Sequence, residues 1–256
     1  MKRKRVPPTK LTMNIILKDK KIFGISKKLN SLIQSLSQLY KKEIIFLDIR
    51  KFSNKDPNLK GFPIVTKRNG DIRTIYLYPT KVFEDDIAHE LFHIKLETYP
   101  DLFLKNPKQL LKEVNVTRTD LMIIRQAGNI ILSALLDFEV DKLVEKEGFD
   151  IKKSNIRDKK GCLFEWKKDR PHDYIHNINL RKVIAGAKLA HMWNLLSSDE
   201  IDKIEKLANK KMPDAFKIAS LFYSHGRKGW KSPDEFAESL KNIIEKLNLA
   251  KFFKIK

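Results

Sequence analysis

A single cysteine, Cys162, stands in 256 residues. No internal disulfide can form, no zinc finger can be built from thiolates, and a reducing compartment follows, the cytoplasm by default. Nor does any stretch approach the roughly 18 uninterrupted apolar residues that a spanning helix needs, so no membrane partner is expected. The opening "MKRKRVPPTKLTMNIILKDKK" carries signal-like positive charge, yet its apolar run is short and closes on lysines instead of a small-residue cleavage site. Residues 1–10 are therefore expected to form a basic, flexible tail. Internal repeats and low-complexity blocks are also missing.

What is present is a core-forming chain with an excess of positive charge. The hydrophobic content of 42% allows one large domain or two smaller ones. Lys and Arg total 52 against 32 Asp and Glu, a formal +20, which attracts nucleic acid, acidic proteins or anionic lipid. The basic residues are spread over the tail, "IKKSNIRDKKG" and "KFFKIK", with no ladder of aromatics of the kind that stacks on single strands. A nucleic-acid partner thus has little support, and the lysine- and isoleucine-rich composition reads more readily as thermophile-like.

Apolar periodicity predicts a helix over "SKKLNSLIQSLSQLYKK", with Leu29, Leu32, Ile33, Leu36 and Leu39 on one stripe. Strand-like runs follow, "EIIFLDI", "GFPIVT" and "TIYLY", the last two joined by a tight hairpin at Asn69 and Gly70. Thr80 is placed to cap a further helix that begins with Glu84, Asp85 and Asp86 and stops before Tyr99 and Pro100. A short helix is expected near "PKQLLKEV", then a long one from about Asp120 to Glu147, ended by Gly148. Beyond 150 the chain reads as all-helical, with capping boxes at Ser197/Glu200 and Ser232/Glu235. The expected class is α+β, divided into the tail, a domain over 11–150 and a helical subdomain over 151–256.

Two of the six histidines fall in "IAHELFHIKL". On a helix, His89 and His93 lie one turn apart and can offer two imidazole nitrogens to one ion, while Glu90 is angled to hold a water beside it. The charge reverses here, since Glu84, Asp85, Asp86, Glu90 and Glu97 outnumber Lys81 and Lys95. His89, Glu90 and His93 make up the HExxH signature, and in these residues the chain resembles the zinc-dependent metallopeptidases. The alternative is a pair of core histidines satisfied by neighbours.

A catalytic zinc takes three protein ligands and keeps a fourth position open. The long helix "RTDLMIIRQAGNIILSALLDFEVDKLVEKEG" is apolar on nearly every side except one line, Asn129, Ser133, Asp137 and Asp141, at successive i+4 steps. Carboxylates buried in such a setting need cations, hydrogen bonds or a metal. Asp137 is the expected third ligand, with Asp141 one turn on to accept the free N–H of a ligating histidine. Glu139 lies about 200° round the helix from Asp137 and off that line.

"DFEVD", Asp137 to Asp141, resembles the gluzincin branch of the HExxH peptidases, which draws a carboxylate ligand and a supporting acid four residues later from a downstream helix. Gluzincins place Glu where this chain has Asp137, which leaves Glu139 as an alternative ligand. The resemblance spans about 72–144. It implies a zincin-like half comprising helix, small mixed sheet, histidine helix and carboxylate-bearing helix. It also implies Zn2+ as cofactor, Glu90 as general base and acid in peptide-bond hydrolysis, a peptide or protein substrate, and "TIYLY" as an edge strand pairing with that substrate.

Two other functions stay open: a zincin-like regulator or scaffold without peptidase activity, and a basic nucleic-acid-binding protein. Of the other histidines, His172 and His176 read as a surface or structural pair, His191 as a core-facing helix residue and His225 as part of a glycine-containing loop. Any of them, or a tyrosine, could steady the oxyanion.

Overall fold

The computed structural model describes residues 26–40, 44–52, 64–69, 72–79, 81–98, 111–113, 121–172 and 177–255. It is an α+β protein of two compact units, Met1–Lys95 and Leu96–Lys256. The expected tail, Thr80 and His176 lie outside the described residues.

In the first unit, α1 (Lys27–Tyr40) buries Leu29, Ile33 and Leu36 on the predicted stripe. Ser26 caps it, its Oγ accepting the N–H of Leu29 at 3.1 Å. Strands β1 (Ile44–Asp48), β2 (Ile64–Asn69) and β3 (Ile72–Leu77) form a mixed sheet in the order β1-β3-β2. β3 runs parallel to β1, with Phe46 opposite Ile75, and antiparallel to β2, with Asn69 opposite Ile72. β2 therefore extends through Asn69, which pairs with Ile72 as part of the strand, and Gly70, the other residue expected in the turn, lies outside the described residues.

The register puts Ile44, Phe46, Ile75 and Leu77 on one buried face. It also overturns the expectation that "TIYLY" is an edge. Both hydrogen-bonding sides of β3 are taken, one by each neighbour, so its main chain has no ladder to offer a substrate.

The histidine-bearing helix α2 (Glu84–Thr98) follows β3 and contains the boundary between the units. Its start is held by its own acids. Asp86 Oδ2 accepts the N–H of Phe83 at 2.8 Å, and Glu84 accepts the N–H of Ser26 at the head of α1.

In the second unit, Leu111–Glu113 is a strand, β4, paired antiparallel with β5 (Phe253–Ile255). The short helix expected near "PKQLLKEV" is therefore wrong at these residues. A non-local ladder to the C-terminus, anchored by buried Phe253, prevails over local helix propensity.

The long helix α3 (Leu121–Lys146) stops as predicted. Gly148 at φ +73 lets its own N–H reach Glu145 O at 2.7 Å and that of Phe149 reach Val144 O at 3.1 Å, a Schellman closure.

Five helices follow: α4 (Lys152–Lys167), α5 (Ile178–Met192), α6 (Ser198–Lys211), α7 (Ala215–Lys228) and α8 (Pro233–Lys246). The Ser197/Glu200 capping box is complete. At α8, Ser232 caps the N–H of Glu235, but the Glu235 carboxylate reaches Lys231 N–H at 2.8 Å instead of closing a box on Ser232.

One continuous core joins α3 to the later helices, through residues such as Ile131, Leu135, Phe138, Ala187, Phe222 and Leu240. Two glycines allow the closest approaches. A Cβ on Gly186 would stand 2.5 Å from the Ile218 side chain, and one on Gly226 would stand 2.1 Å from the Phe138 ring. Among the described residues no helix is long and apolar enough to cross a membrane.

Candidate metal centre

α2 is buried at Ile87, Ala88, Leu91, Phe92, Ile94 and Leu96. His89, Glu90, His93 and Lys95 are the half-buried positions between them, and the first three form a polar strip on an otherwise apolar stretch of the helix. The i, i+4 spacing brings the two rings together edge to face, with centroids 4.7 Å and Nε2 atoms 3.0 Å apart. Two such nitrogens approach this closely when one donates a proton to the other, or when both lone pairs converge on a cation.

On α3, Asp137 sits half-buried between buried Leu136 and Phe138. One carboxylate oxygen of Asp137 and one nitrogen from each of His89 and His93 all lie within 4.8 Å of one another, a group that could hold a metal ion. Tetrahedral zinc, bonded at about 2.0–2.2 Å, sets its ligand atoms about 3.3 Å apart. The imidazole pair is close to that spacing as it stands, and the carboxylate oxygen lies within 4.8 Å of both nitrogens. Two neutral nitrogens and one anionic oxygen are a donor set that suits a divalent first-row metal ion. Glu90 is not one of the three.

The polar line on α3 is only partly as expected. Asn129 and Ser133 are exposed and Asp137 and Asp141 half-buried, so its upper part is a solvated stripe that carries no desolvation cost. Asp141 engages a residue that sequence reading assigned elsewhere: its Oδ2 lies 2.7 Å from His191 Nε2 on α5. His191 is thus a half-buried hydrogen-bonding partner of Asp141 and not a core-packed residue. Glu139, the alternative ligand, is occupied on another side, its Oε1 2.8 Å from Lys142 Nζ and set against Gly229.

The other histidines separate by environment. His172 is buried, its main-chain N–H donating to Glu165 Oε1 at 2.7 Å and its ring edge-on to Trp166. Burial, reinforced by the Lys188 charge, pushes its pKa down to about 4. His225 lies on α7, not in a loop: Gly226 continues the helix, and Gly229 at φ +70 ends it. Burial lowers its pKa, against the opposing pull of a 3.3 Å contact with Asn242 Oδ1. Cys162 is likewise desolvated, its thiol pushed up to about 12 and so inert as a nucleophile near neutral pH.

No family model, curated protein or solved structure matches the chain.

Proposed function

We propose that the chain is a zinc-dependent hydrolase of peptide bonds, of the gluzincin kind, with His89, His93 and Asp137 as metal ligands and Glu90 as the acid–base residue. The observation that carries this reading is the convergence of two imidazole nitrogens 3.0 Å apart with a carboxylate oxygen inside a 4.8 Å group, beside a glutamate one step along the helix.

When bound, zinc supplies a Lewis acid for the scissile carbonyl and lowers the pKa of a coordinated water. His89 and His93 serve it as neutral donors. Asp137 offsets part of the positive charge, and its shorter side chain, compared with the gluzincin glutamate, demands a closer approach of the helix that carries it. Glu90 takes the proton of the attacking water and returns it to the leaving amine. The Asp141–His191 pair, one turn beyond Asp137, steadies that end of the ligand stripe.

Metal analysis of purified protein, joined to a peptide-hydrolysis assay, tests the proposal. Wild type should carry one zinc, and His89→Ala and Asp137→Ala should lose it. Glu90→Gln should keep the metal while losing on the order of a hundredfold or more in rate. Full zinc content in Asp137→Ala overturns the ligand assignment. Undiminished hydrolysis by Glu90→Gln overturns the mechanism.

A further inference from the structure

A cavity of about 560 Å³ lies wholly within the second unit, where α5, α7 and the turn after α8 meet. That volume falls in the range of pockets that hold small organic ligands. Its wall is chemically divided. Val183, Ile218 and Leu249 form a buried apolar floor, and Leu221, Leu247 and Phe252 expose part of their side chains into it. Lys182, Lys217, Lys246 and Lys251 stand around it, opposed by one carboxylate among the described residues, Asp214.

The positive end of a helix adds to that charge. Asp214 occupies the N-cap of α7 at φ +76 but makes no side-chain cap there, its carboxylate lying 3.1 Å from Lys182 Nζ instead. One lysine is thus neutralised within the wall. Lys217, Lys246 and Lys251 then line the same space with no second acid among the described lining residues, beside a first turn of α7 that has no side-chain cap.

We infer that this cavity binds a small amphiphilic anion, an acyl or aromatic body ending in a phosphate or carboxylate. Neither half of the wall alone selects such a molecule. The lysines would hold any anion loosely in water, and the partly exposed Leu221, Leu247 and Phe252 would accept any apolar group. Together they require one ligand that carries both.

Titration calorimetry on the full-length protein, with decyl phosphate and decanoate below their micelle concentrations, reads this directly. Both should bind one to one. Decanol, which lacks the charge, and inorganic phosphate, which lacks the chain, should each bind at least about tenfold more weakly, the loss expected for one missing charge-assisted contact or a few buried methylenes. Lys217→Gln/Lys246→Gln, changed at two exposed positions, should weaken decyl phosphate at least about tenfold. Lys203→Gln/Lys206→Gln on α6, outside the cavity, should leave it unchanged. Equal binding of decanol, equal binding of inorganic phosphate, or equal loss in the two double variants would each overturn the inference. So would capture by anionic vesicles without saturable binding of monomeric decyl phosphate. None of these readouts depends on zinc or on hydrolysis.

Discussion

Replacing Gly226 by alanine sets two effects of opposite sign against each other. Alanine in a helix interior is favoured over glycine by about 1 kcal/mol. Yet the added Cβ would lie 2.1 Å from Phe138 Cδ2 and 2.4 Å from Cγ and Cε2, where ordinary contact begins at 3.4 Å, so the ring must retreat by more than 1 Å. Phe138 is buried in a continuous core and cannot turn outward. The overpacking cost belongs near the upper end of the about 1–3 kcal/mol typical of such insertions, leaving a net loss of about 2 kcal/mol. For a chain of this size that lowers Tm by about 4–8 °C. Phe138 also adjoins Asp137, so metal affinity at the proposed site should fall with stability. Gly161→Ala on α4 is the matched control: its Cβ meets nothing within 4 Å, and the propensity gain of about 1 kcal/mol should appear undiminished. Thermal unfolding followed by circular dichroism compares the two. If Gly226→Ala melts at or above wild type, the close approach of α7 to Phe138 is not as described.

Further outcomes follow from other sites. His172 stays neutral in the fold, with its pKa pushed to about 4, while the unfolded chain takes up a proton below about 6.5. Its contribution is fully present above that pH and is lost as pH falls toward 4, by no more than about 3 kcal/mol. His172→Asn, which tolerates the φ of +54, should flatten the pH dependence of denaturant unfolding between those limits. Ser232→Ala removes the cap on the Glu235 N–H and should cost about 1 kcal/mol in the same assay. A chelator should lower Tm in wild type and leave that of His89→Ala unmoved, because a ligand bound only to the native state stabilises it by mass action.

Local features were legible in the sequence. The stop at Gly148 and the box at Ser197 depend on residues within five positions of each other, and the histidine pair is set by the pitch of one helix. Features that join distant segments were not. β3 reads as a plausible edge until β1 is seen to add a parallel ladder on its far side. Leu111–Glu113 becomes a strand only because Phe253–Ile255 arrives beside it. Asp141 finds its partner 50 residues away at His191, on a helix whose apolar pattern suggested that the ring faced inward. Asp137 was reachable because the i+4 polar line on α3 could be followed from the sequence, although its upper members prove to be solvated.

The strand order carries a consequence for any extended peptide that docks on the sheet. Among the described residues, the margins of the sheet that lack a ladder lie alongside β1 and β2, because the middle strand β3 is bonded on both sides. Those two margins run in opposite senses, so an antiparallel guest would lie amino end first at one and carboxyl end first at the other. The same guest would therefore present its side chains in opposite order at the two flanks.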